Sequence, residues 1–151
     1  MIGSQRSKEE GMDHEATMRR AYELISAGDL DGFGELISDD DFVEHEQPPG
    51  QEPTKAGVLQ GFAMFRAGFP DLHMEPERYF VDGDTVAVYY RATGTQTGEL
   101  MGKPPTGKKV DVRGVDIVRF GDDGKAREHW GVFDTMGMMQ QLGAIPEGPP
   151  A

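Results

Sequence analysis

Strand-like alternation from Val110 to Phe120 places Val112, Gly114, Asp116, Val118 and Phe120 on one face. Asp111, Arg113, Val115, Ile117 and Arg119 fall on the other. The first face is apolar except for one carboxylate. A buried carboxylate without a partner is costly, so such a group is usually paired or functional. Desolvation favours the neutral form of a carboxyl, which suits a group that takes up and returns a proton. Asp116 is therefore the first candidate for a general base. In the alternative the sheet is turned over, and Asp116 sits in solvent or meets an arginine.

A second constellation follows in Glu128-His129-Trp130-Gly131-Val132-Phe133-Asp134. As a strand it puts Glu128, Trp130, Val132 and Asp134 on one face and Arg127, His129, Gly131 and Phe133 on the other. Only one set can line a cavity. His129 is a natural proton shuttle, and Trp130 would make a wall for a flat substrate. The plainer alternatives are a core Trp130, a surface His129, and an Asp134 that caps a terminal helix. For Asp134 the cap is at least as natural as catalysis. His45 lies beside Glu46, but the four histidines show no His-x-x-x-His spacing, so no metal is expected. His14 and His73 read as surface residues. No glycine-rich loop joins a strand to a helix and no Gly-x-Ser-x-Gly elbow occurs, so nucleotide cofactors and serine hydrolysis lose support. The methionines Met136, Met138 and Met139 read as core or interface filling.

The elements that must position these groups are two blocks. Asp13 caps a helix from about His14 to Ala27, with Met18, Ala21, Tyr22, Leu24 and Ile25 on one face and Gly28 at its end. Asp31 is expected to cap a shorter helix carrying Phe33, Leu36 and Ile37. Phe42 to His45 is a short extended segment, and Gln47 to Pro53 is a loop. Thr54 caps a third helix whose stripe is Val58, Phe62, Phe65 and Phe69, stopped by Pro70. Four strands follow: Leu72–Val81, Thr85–Thr93, Val110–Phe120 and Ala126–Phe133. Asp82-Gly83-Asp84 and Gly121-Asp122-Asp123-Gly124 are their tight turns. The hairpin loop from Gly98 to Lys109 has no evident apolar face and is expected to be mobile, a lid or rim over the pocket. A short helix from Thr135 to Leu142 ends the pattern. Helices followed by an antiparallel meander argue for an α+β fold.

The totals bound the function. A chain of 151 residues suits one domain, here 13–145, with 1–12 reading as a disordered leader and 146–151 as a flexible tail. Lys+Arg is 15 and Asp+Glu is 27, for a net charge of −12. Such a field repels phosphate backbones and anionic lipid, so neither nucleic acid nor a membrane is an expected partner. No stretch approaches the roughly 20 apolar residues that span a bilayer. Without cysteine there is no disulfide framework, thiolate metal site or cysteine nucleophile, and a cytoplasmic location is expected.

Three segments resemble the SnoaL-like polyketide cyclases, or ester cyclases, of the nuclear-transport-factor-like superfamily. They are Ala27-Gly28-Asp29-Leu30-Asp31 with Asp41-Phe42-Val43-Glu44-His45, then Gly102-Lys103-Pro104-Pro105-Thr106-Gly107-Lys108, and Asp116-Ile117-Val118-Arg119-Phe120 with Glu128-His129-Trp130 and Asp134. The resemblance implies a cone-shaped barrel of curled antiparallel sheet packed against N-terminal helices. It also implies a homodimer paired through the outer sheet face, and cofactor-free aldol chemistry on a polyketide ester. Asp116 matches a position that is often polar in that family, and Asp134 matches its tail aspartate. The residue after the tryptophan is often acidic or polar there and is Gly131 here. The combined expectation is an enzyme acting on a small, apolar or aromatic, carbonyl-bearing molecule. Asp116 is its base, His129 or His45 the donor to the enolate oxygen, and Asp134 a further acid/base candidate. Phe62, Phe65, Phe69 and Trp130 shape the pocket. The alternative is a non-catalytic ligand-binding dimer of the same fold.

Overall fold

The structure is a computed structural model that describes residues 13–146, so the expected leader and most of the expected tail lie outside the described residues. Its elements in chain order are α1 (His14–Ala27), α2 (Leu30–Gly34), β1 (Val43–Glu44), α3 (Lys55–Gly68), β2 (His73–Asp82), β3 (Thr85–Thr95), β4 (Lys109–Phe120), β5 (Ala126–Phe133) and α4 (Thr135–Gln141). No helix among the described residues is long and apolar enough to cross a membrane.

Local chemistry sets the helix ends. The Asp13 carboxylate accepts the Ala16 N–H, and Gly28 at φ 78° closes α1 by donating to carbonyls of its last turn. The chain leaves that turn at Asp29, which accepts the Gly32 N–H and caps α2. The expected cap, Asp31, instead lies within the first turn of α2, because the αL turn at Gly28 brings the next helix on within two residues. Thr54 caps α3 through the Gly57 N–H. Arg66 of α3 then ties three segments together. Its guanidinium donates to the Ile25 and Ser26 carbonyls at the end of α1 and to the Pro70 carbonyl ahead of β2. A cation at that end also complements the helix dipole.

Strands β2 to β5 form the antiparallel meander expected from the sequence. The sheet as a whole differs from expectation in two ways. It has five strands in the order β1-β5-β4-β3-β2, and it is mixed, because β1 runs parallel to β5 with Val43 opposite Glu128 and Glu44 opposite His129. It is also open rather than closed into a barrel, with β1 and β2 as its edges. Its inner face meets the helices in a core of Met18, Tyr22, Ile25, Phe33, Val86, Val88, Val118 and Phe120. A second cluster, with Phe69, Leu100, Val110, Val112, Met138 and Leu142, closes the other end of the sheet.

The β3–β4 loop is better anchored than its composition suggests. Leu100 is 3% exposed and packs against Gly68, whose carbonyl accepts the Gly98 N–H. Gln96, 2% exposed, donates to the Gly98 and Pro104 carbonyls and accepts the Thr106 hydroxyl. One buried leucine and one buried amide thus supply the ordering that a strip of apolar residues would otherwise provide. Gln96→Ala strands both carbonyls and the hydroxyl. It should cost about 1–3 kcal/mol in denaturant unfolding and speed amide exchange at Gly98 to Thr106. Unchanged stability and exchange would show that the loop does not depend on this side chain.

Candidate active site

A cavity of about 730 Å³ lies between the inner sheet face and the helices. Its walls are mostly apolar. Phe62, Phe65 and Phe69 line it, as the stripe of α3 led one to expect, together with Met18, Ile25 and Phe33. Four of the polar groups deep within it come from four elements. Asp116 points in from β4, where it faces Gly131 of β5. His129 points in from β5, Glu44 from β1, and Tyr22 from α1.

These four side chains form one continuous chain of hydrogen bonds. The Tyr22 hydroxyl donates to Asp116 Oδ2 at 2.6 Å. His129 Nε2 meets Asp116 Oδ1 at 2.8 Å. His129 Nδ1 meets the Glu44 carboxylate at 2.5 and 2.7 Å. Burial alone would lower the imidazole pKa. The two carboxylates outweigh it through hydrogen bonds and charge, and hold the pKa at about 10. At neutral pH His129 is therefore an imidazolium that donates from both nitrogens, and it is not a free base. Burial, followed by the charge and hydrogen bond of Asp116, pushes the Tyr22 phenol far above its ordinary range. Asp116 is thus neither the unpartnered carboxylate nor the arginine-paired one that the sequence suggested. Its partners are a histidine and a tyrosine.

Space for this arrangement comes from Gly131. A Cβ there would stand 2.5 Å from His129 Cε1 and 3.0 Å from Asp116 Oδ1. The position where the resemblance expects an acidic or polar residue is empty, and the inward carboxylate comes from Asp116, directly across the strand pair.

Three expected site residues lie elsewhere. His45 and Trp130 do not line the cavity. They stack on each other with ring centroids 4.5 Å apart and planes 4° off parallel. The reason is register: β1 pairs Glu44 with His129, so alternation turns those two inward and turns His45, Glu128 and Trp130 to the outer face. There His45 meets Glu128 at 2.8 Å, and Arg119 meets the same carboxylate at 2.6 Å. Asp134 is the cap of α4, accepting the Gly137 N–H at 2.8 Å, and it does not line the cavity. Sequence reasoning missed Glu44, Tyr22 and Tyr90 as cavity groups. Tyr22 falls on the apolar face of its helix, although a phenol in an apolar stripe still has a hydroxyl to place.

Because its folded pKa lies above the usual 6.5, protonated His129 contributes stability that is complete below about pH 6.5. That contribution is lost as pH rises through about 10. Gly131→Ala drives a methyl group into the His129–Asp116 pair. Imidazole ¹⁵N NMR should find His129 titrating near 10 in the parent and closer to 6.5 in the variant. The variant should also lose the parent's decline in stability between those pH values. A parent His129 that titrates near 6.5 would rule out the network.

The sequence profile of the SnoaL-like polyketide cyclases matches residues 15–142. The aklanonic acid methyl ester cyclase DnrD of Streptomyces peucetius is 28% identical over 142 residues, spanning 87% of this chain and 93% of that protein. The aklanonic acid methyl ester cyclase DauD of Streptomyces sp. (strain C5) is 29% identical, spanning 87% of this chain and 84% of its own. Among solved structures, IdmH of Streptomyces antibioticus, described as a candidate polyketide cyclase, superposes with a TM-score of 0.75 at 34% identity, over 87% of this chain and 99% of its own. AclR of Streptomyces galilaeus, described as a candidate hydroxylase, superposes with a TM-score of 0.80 at 30% identity, over 90% of this chain and 84% of its own. By profile, sequence and fold together, the chain belongs to the SnoaL-like polyketide cyclase family.

Proposed function

We propose that this protein closes a ring in an uncharged polyketide ester by a cofactor-free intramolecular aldol reaction, with Asp116 as the acid/base group. The observation that carries this reading is the anchored carboxylate: Asp116 faces a cavity with apolar walls and is held by one donor on each oxygen. Asp116 takes the proton from carbon next to a carbonyl, and the C–H pair becomes the enolate double bond. The enolate carbon then forms a C–C bond to a second carbonyl carbon. The resulting alkoxide recovers the proton from Asp116, so the reaction is an isomerisation with no net loss or gain. His129, protonated and bonded at both nitrogens, positions Asp116 and does not itself exchange protons with substrate.

The preference for an uncharged ester rests on charge. Glu44, His129 and Asp116 sum to one negative charge, Glu46 at the lining adds another acidic group, and neither lysine nor arginine is among the described residues that line the cavity. A free carboxylate would be desolvated there with no cation free to meet it, since His129 is committed to Glu44 and Asp116, whereas an ester of the same shape would not. The names of the cyclase relatives, which specify a methyl ester, agree with this choice.

The outer sheet face supports a homodimer. Phe80, Ala87, Ile117 and Trp130 form one outward row across four strands, and Phe80 is 55% exposed. A second copy of the chain would cover that row. Light scattering should give twice the monomer mass at micromolar concentration, and a monomer there would refute the pairing.

The test of activity is incubation with aklanonic acid methyl ester and, separately, with aklanonic acid. The ester should convert to a cyclised product of unchanged mass, and the acid should convert far more slowly. Asp116→Asn should lower the rate about 100-fold or more. An unconverted ester, or an unaffected Asp116→Asn, would overturn the proposal.

A further inference from the structure

The Tyr22 hydroxyl is committed to Asp116, but a second phenol in the cavity is uncommitted. Tyr90 is 7% exposed, lines the cavity, and faces Gly114 of β4 from its place on β3. Its ring reaches across β4 into the space a side chain at 114 would fill, where a Cβ would stand 2.3 Å from the Tyr90 hydroxyl oxygen. Among the described residues that hydroxyl makes no hydrogen bond. Nor is it sealed in protein, for among the described residues the buried side-chain oxygen without a partner is that of Tyr79. The Tyr90 hydroxyl is therefore open to the cavity. Burial, and then the charge of Asp116, push this phenol above its ordinary range, so it keeps its proton and acts as a donor.

We propose that Tyr90 is a catalytic residue, donating its O–H to the carbonyl oxygen of the same unit that Asp116 deprotonates. This rests on the reading of Asp116 as base. Gly114 and Asp116 are successive inward positions of β4, about 7 Å apart along the strand. Two hydrogen-bond lengths of about 2.8 Å and the carbonyl unit between them span that gap. Deprotonation leaves the total charge of the cavity unchanged and moves one negative charge from Asp116 to the substrate oxygen. A donor is needed only where the charge arrives. As the new C–C bond forms, the electron pair returns from that oxygen to restore the carbonyl, and Tyr90 retains its proton throughout. A donor placed for the charge-bearing state, and without a protein partner before it, strengthens the intermediate more than the ground state.

The test uses 2-naphthol as a planar stand-in for the enolate and naphthalene as the same shape without the oxygen. Binding is measured by fluorescence titration in Asp116→Asn, which mimics the protonated base. Tyr90→Phe on that background should weaken 2-naphthol at least about tenfold and leave naphthalene unchanged. Gly114→Ala, whose methyl group displaces the hydroxyl, should reproduce the selective loss and carries the test if Tyr90→Phe does not fold. Tyr79→Phe, outside the cavity lining, should alter neither ligand. Equal losses for both ligands, no loss for 2-naphthol, or no preference of Asp116→Asn for 2-naphthol over naphthalene would each overturn the assignment. A selective loss in a protein that leaves the methyl ester unconverted would keep Tyr90 as donor and remove the substrate reading alone. Undiminished ester turnover in Tyr90→Phe would remove the donor alone.

Discussion

The inner face depends on one cation held between two carboxylates. His129 sits between Glu44 and Asp116, and each of the three comes from a different strand. Removing one partner of such a buried group typically costs about 3–5 kcal/mol, because the remaining charge is left without compensation. The geometry therefore constrains much of the chain at once. The two residues of β1 must pair with β5 for Glu44 to arrive. Position 131 must lack a side chain. Helix α1 must present Tyr22 at the depth of Asp116, which depends on Gly28 ending that helix and on Arg66 holding its last carbonyls.

Much of this fold was legible in the sequence, because local rules govern it. The caps at Asp13 and Thr54, the αL turn at Gly28 and the four-strand meander follow from residue type and period. Asp116 was also legible, as the one polar group on its strand face, and His129 was a candidate on a face left open. What failed was register. Whether His129 or Trp130 faces the cavity is a choice of face, and a two-residue strand of parallel pairing makes that choice. Val43–Glu44 is too short to carry a period, so the inward turn of Glu44 and the outward turn of His45 could not be read from it. Leu100 and Gln96 escaped notice for a related reason. Each is a single buried contact in a segment that otherwise looks like loop, and no periodicity announces a single contact.

The two faces of β4 and β5 carry similar residues with different consequences. Outside, Glu128 is shared by Arg119 and His45 in contact with solvent. Its pKa is lowered first by the Arg119 hydrogen bond and then by that of His45. Water screens that cluster, and its contribution to stability is small. Inside, the same classes of group are removed from water, and the pKa of the imidazole rises to about 10. Alternation along β5 puts Glu128 and His129 on opposite sides of one sheet, so adjacent residues belong to different dielectric environments. The difference between a surface ion pair and a buried one is here one residue of register.

Two missing side chains shape the floor of the cavity. Gly131 leaves room for the His129–Asp116 pair, and Gly114 leaves room for the Tyr90 phenol. Both glycines lie in extended strand, where glycine costs stability by entropy and gives nothing to pack. Neither has a positive φ, so conformation does not require them. Close approach does: a methyl group at either position would overlap a polar side chain. Glycine within a strand is a known mark of such approach, and here the approaching groups are His129, Asp116 and Tyr90. The stability lost at the two positions is the cost of keeping the Asp116 carboxylate and the Tyr90 phenol close together within an apolar wall.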